Sequence, residues 1–197
     1  YSSIQRDQFS AIYRFSAVMT ERVVPEALQA AVDRALPRFP GFAVKICRGF
    51  FWYYFEPNDA PGPYVREDVA DPCRPVRFNE DSGWLIRFYY YRCRISLEVF
   101  HALADGAGAI AFFKAVLAEY LRQLGRDIPP GEGIIDLDEP PKPEEREDAY
   151  LRYAGKASRA LPRVSRAYQN RGTPEPFYTF HVTMGFLSSA QLREKAR

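Results

Sequence analysis

Phe100-His101-Ala102-Leu103-Ala104-Asp105-Gly106 stands where one hydrophobic period gives way to another. Upstream, Cys93, Ile95, Leu97 and Val99 alternate with Arg94, Ser96, Glu98 and Phe100, the two-residue period of a strand with one covered face. His101 continues the apolar parity, so its side chain is expected at the end of the strand on the covered side. Downstream, Ala109, Ile110, Phe113, Val116, Leu117, Tyr120, Leu121 and Leu124 recur at helical spacing, and Gly125 follows where a helix commonly stops. The stretch therefore predicts a strand-to-helix turn carrying a histidine. An imidazole at the rim of a buried face is partly desolvated yet reachable from a cleft, and it is the side chain suited to take up a proton near neutral pH. The same residues also fit a satisfied core histidine followed by an aspartate that merely caps the helix.

The pattern His101-x-x-x-Asp105-Gly106 after a strand resembles the signature of the chloramphenicol acetyltransferase-like superfamily. That superfamily includes condensation domains of peptide synthetases, plant acyl-CoA transferases and alcohol acetyltransferases. The order of elements is similar to the amino-terminal half of the alcohol acetyltransferase-like branch: a strand over 9–18, a helix over 25–36, strands over 42–47 and 50–55, then strands from 86 to 100 leading into the motif. The stretch from Thr173 to Thr183 resembles the passage into the second half of such proteins. The resemblance covers nearly the whole chain but only half of the family's fold. It implies an α+β half-fold, a mixed β-sheet flanked by helices in the order β-α-β-β-(loop)-β-β-α-linker-β-α.

In the family the second of two consecutive histidines is the general base that activates an alcohol or amine against an acyl thioester. By the resemblance that role falls on His101, and a positioned base typically gains about 10²–10⁴-fold. Phe100 occupies the place of the first histidine, a departure that leaves activity open. Asp105 would be structural, paired with an arginine for which Arg14 is a candidate by position. Gly106 would keep the turn narrow enough for a thioester arm, or simply relieve strain. The implied partners are acyl-CoA as co-substrate and a small alcohol or amine acceptor, with no permanently bound cofactor. Because the family's tunnel lies between two lobes, these 197 residues are expected to be an incomplete catalyst, whose cleft a carboxyl-terminal lobe or a second chain completes.

Composition bounds the alternatives. A chain that is 47% hydrophobic and 15% aromatic can bury a sizeable core. Twenty-seven basic residues against 25 acidic leave a net charge of +2, too near balance to suggest a nucleic-acid partner. Cys47, Cys73 and Cys93 form neither a metal-ligand spacing nor a closed disulfide framework, and with His181 the only other histidine, no metal site is expected. No apolar run approaches the ~18 residues of a membrane span. A cytoplasmic setting is the expectation.

Along the chain, Tyr13, Phe15 and Ala17 alternate with Ile12, Arg14 and Ser16, and Pro25 opens a helix striped by Leu28, Ala31, Val32, Ala35 and Leu36. Arg48-Gly49 suggests a tight hairpin. The unbroken run from Phe50 to Phe55 has no polar parity, so either both its faces are covered, which is the usual state of such strands, or one face is a platform. A platform would admit a single-strand nucleic-acid module as an alternative, with basic residues 152–171 as its electrostatic footprint. Residues 56–81 read as a loop excursion with at most a short strand. A second hairpin turns near Arg92-Cys93 without the usual glycine or asparagine. Three regions follow: a lobe over 1–125, an acidic proline-rich linker and then a basic segment over 126–172, and a strand and helix over 173–197. His181 is read as a half-exposed residue of that last strand.

Overall fold

The computed structural model describes residues 11–68, 71–78, 80–131, 133–145, 172–173 and 185–196. The chain divides into two units, Tyr1–Arg159 and Ala160–Arg197.

The first unit is built on a four-stranded sheet, in which β1 (Ile12–Val18), β6 (Arg94–Phe100), β5 (Ile86–Tyr91) and β4 (Val65–Glu67) lie side by side in that order. β1 and β5 both run antiparallel to β6, whereas the short β4 runs parallel to β5, so the sheet is mixed. The parity read from the sequence sets the faces. Tyr13, Phe15 and Ala17 join Ile95, Leu97, Val99, Phe88 and Tyr90 on the side covered by helices α1 (Pro25–Ala35) and α2 (Gly106–Gln123). Leu28, Ala31, Val32 and Ala35 of α1, and Ala109, Phe112, Ala115 and Val116 of α2, are fully buried there. Phe42 stacks on Phe112 at 4.5 Å between centroids.

The other face of β6 was expected to be polar and open; instead it is covered. Ser96 and Glu98 are 1% and 2% exposed. Glu98 accepts from Arg14 Nε at 3.0 Å and Nη2 at 2.7 Å, and from the backbone amide of Cys73. Arg14 donates as well to Asp68, at 2.7 Å. Asp68, Cys73 and Val76 of the excursion thus lie over this face, and a buried carboxylate is held there by guanidinium and amide donors, without which its burial would be costly. Toward the end of the strand the same face becomes apolar, where Phe100, Leu85, Val76, Ala11 and Ile46 form a second small core.

One of the two hairpins turns where it was read, at Arg92-Cys93, and the other does not turn at Arg48-Gly49. β5 and β6 turn in two residues, with Arg92 in the left-handed region at φ 52°. The turn is held from outside, because Val23 and Met19 donate their amides to the carbonyls of Arg92 and Cys93 at 2.8 and 2.7 Å. β2 (Val44–Arg48) and β3 (Tyr53–Pro57) pair antiparallel as a separate two-stranded sheet, and Arg48 opposes Tyr53. The expected tight turn at Arg48-Gly49 is therefore a four-residue loop, Gly49 to Trp52. The expected burial of the aromatic run is overturned too: Phe50 and Phe51 are 90% and 91% exposed, Trp52 is 62%, and Tyr53, Tyr54 and Phe55 are all exposed.

Residues beyond α2 do not leave the first unit at once. Gly125, at φ 79°, ends the helix. Leu137 is buried in the main core, and Arg38, itself buried, forks onto the Glu145 carboxylate at 2.6 and 3.1 Å. The composition of a linker thus includes a stretch, 134–145, that packs back onto the domain. In the second unit, Ser188 caps a short helix, Ser189–Lys195, by accepting from the Gln191 amide. His181, the basic residues 152–171 and all but the end of the strand expected over 177–186 lie outside the described residues; Gly185 and Phe186 carry no regular structure.

Candidate functional site

Tyr13, His101, Ala104, Asp105 and Gly106 meet where β6 ends and α2 begins. Phe100 is the last residue of β6 and is fully buried; His101 is the first residue of the turn and is exposed. Successive residues of a strand point to opposite faces. Phe100 therefore turns into the second core, edge-on to Phe78, while His101 stays on the helix side, where its ring lies edge-on to Tyr13 at 4.8 Å and 67°. The residue in the first histidine's place thus faces away from the turn that carries His101. His101 also extends the ladder by donating its backbone amide to Ala11 at 2.7 Å.

Asp105 is the N-cap of α2, its carboxylate accepting from the Gly108 amide at 2.8 Å. This satisfies one of the helix's four unpaired N-terminal donors. The candidate pairing with Arg14 is not made. Arg14 lies on the opposite face of the sheet, directly across from Glu98 in register, and is committed to Glu98 and Asp68. Asp105 and Arg14 are each structural, through different partners.

Gly106 opens α2 with an ordinary negative φ, and a Cβ built on it would approach only the Phe15 ring, at 3.9 Å. Backbone strain does not require glycine here, so that explanation falls. Nor does crowding by any described neighbour.

Sequence reading missed Tyr13, whose hydroxyl donates toward the carbonyls of Ala104 at 2.9 Å and Asp105 at 3.0 Å. Its place on the apolar parity of β1 was legible, but its reach to residue 104 was not. Behind the turn lies a cavity of about 270 Å³, lined by Leu103, Ala104 and Gly108 with Phe39, Phe42, Ile135 and the Arg38–Glu145 pair. Among the described residues, no group of three or more His, Cys, Asp or Glu side chains is placed to hold a metal ion, and no helix is long and apolar enough to cross a membrane.

The mixed sheet flanked by helices is the condensation-domain, or chloramphenicol acetyltransferase-like, fold. The solved structures that carry it include the X-domain of teicoplanin biosynthesis in complex with OxyB (TM-score 0.52, 14% identity, 65% of this chain and 31% of that one). They include also a mutant starter condensation domain of the rhizomide synthetase RzmA (TM-score 0.50, 14% identity, 64% of this chain and 35% of that one). The chain matches about a third of the length of these structures, and at such identity the likeness is one of fold. No protein-family model and no curated protein sequence matches it.

Proposed function

We propose that this chain is the acyltransfer lobe of an alcohol acetyltransferase-like enzyme. It moves an acyl group from acyl-CoA, or from a carrier thioester, to an alcohol or amine. His101 removes the acceptor's proton as its oxygen or nitrogen attacks the thioester carbon, and the thiol leaves. The observation that carries this reading is the placement of His101. Its imidazole is exposed at the end of a buried strand, in a turn tied on both sides. Gly106 supports it as well, since neither φ nor neighbouring atoms account for a glycine there. A thioester arm passing that point would. Asp105 holds the turn as a cap and carries no proton in this scheme.

The test is acyl transfer from acetyl-CoA by the full-length protein, followed as released thiol. His101→Ala should lower turnover at least about tenfold, and a smaller loss sinks the general-base role. Gly106→Ala should leave the melting temperature unchanged or slightly raised, because alanine fits the space and is the better helix former by up to ~1 kcal/mol. Its turnover should nonetheless fall.

A second reading is a non-catalytic binding homologue of the same fold. The exposed run from Phe50 to Phe55 favours it, as does the neighbouring X-domain solved in complex with another protein, OxyB. Binding that raises the melting temperature without turnover would select it. The same exposed aromatics are what a single-strand nucleic-acid module would need, and steep salt dependence of oligonucleotide binding would mark that outcome.

A further inference from the structure

Tyr13 touches both ends of the His101 turn. It sits in β1 opposite Val99, on the face toward α2. Its ring is flanked by two edge-on neighbours, Phe15 at 5.5 Å and His101 at 4.8 Å. Its hydroxyl reaches the two carbonyls that close the turn, those of Ala104 and Asp105. A single O–H shared between two acceptors fixes the backbone of both residues, and the rigid ring then sets the distance from that anchor to the imidazole.

From this we infer that Tyr13 is a positioning residue: it holds the His101 imidazole in one orientation by clamping the far end of the turn with its hydroxyl while bracing the ring with its own. A core tyrosine needing only a partner for its hydroxyl would require one carbonyl and no histidine contact. Burial, and then the nearby Asp105 charge, push the Tyr13 hydroxyl up to about 12. It therefore stays protonated near neutral pH and acts as a donor, never as a competing base. For its effect on turnover the inference rests on His101 being the general base; for its effect on the imidazole it does not.

The chain has two histidines, so its imidazole ¹H–¹³C spectrum holds two pairs of ring signals, and His101→Gln assigns them. In Tyr13→Phe the ring brace remains and the clamp is gone. The His101 signal should keep its ring-current shift but broaden, and amide exchange at Leu103 and Gly108 should speed up by about tenfold. In Tyr13→Leu the brace goes too, and the ring-current shift should disappear. A folded Tyr13→Leu protein whose His101 signals superimpose on those of the parent would overturn the inference. Should that variant fail to fold, Tyr13→Phe decides: unchanged His101 line width and unchanged Leu103 exchange would overturn it equally. In the full-length enzyme Tyr13→Phe should lower kcat by roughly threefold to thirtyfold with little change in KM, the pattern of a misplaced reacting group. If His101→Gln leaves turnover intact while the Tyr13 variants still move the His101 signals, the general-base reading fails and the positioning role stands.

Discussion

Two apolar runs of similar length meet opposite fates in this chain. Ile95 to Phe100 is buried residue by residue, including a serine and a glutamate, whereas Phe50 to Phe55, with six aromatic side chains in a row, is exposed throughout. Composition would rank them the other way. What separates them is place in the sheet: β6 has a strand on each side, helices over one face and Asp68, Cys73 and Val76 over the other, while the aromatic run forms the loop and second strand of a two-stranded hairpin. Burial here follows topology, and hydrophobicity alone does not decide it.

Substitutions can break or sharpen that contrast. Leu97→Ala removes a fully buried side chain facing α1 and α2, and should lower unfolding stability by about 2–5 kcal/mol in urea titration. A loss under ~1 kcal/mol would show β6 to be less packed than its neighbours imply. Glu98→Gln keeps the volume but gives up the charge that Arg14 and the Cys73 amide address, and should cost about 1.5–3 kcal/mol by the same measurement. Asp105→Ala removes the α2 cap at the end of β6 and should cost about 1 kcal/mol, visible as earlier thermal loss of helical circular dichroism. At the bottom of the scale, Phe51→Ser should change stability by no more than about 0.5 kcal/mol, since a side chain 91% exposed has little packing to lose. A large destabilisation there would mean that the aromatic loop is covered in solution.

The elements that periodicity marks strongly were legible in the sequence: β6 over Arg94–Phe100 with its bounds, α1 from Pro25 and α2 up to Gly125. Two kinds of feature were not. Long-range register is invisible to local pattern, so Arg14 could be seen as a paired arginine but not as the partner of Glu98 and Asp68. The reach of Tyr13 to the turn stayed hidden for the same reason. Coverage by irregular chain is also invisible, because residues 71–76 and 134–145 carry no period and the faces they cover show only in three dimensions. Within the candidate site, the helix cap was read as the simpler role for Asp105, and it is the bond that forms.

The pairing of β1 with β6 joins Ile12 to Phe100 and Val18 to Arg94, residues 88 and 76 positions apart. A ribosome must therefore release nearly a hundred residues before the first strand has anything to pair with. Tyr13 waits with it, and so the imidazole and its brace come together only as that outermost strand docks. A nascent chain stalled before residue 94 would hold helix α1 and the aromatic hairpin, yet Tyr13 would have neither the strand it pairs with nor the turn it clamps.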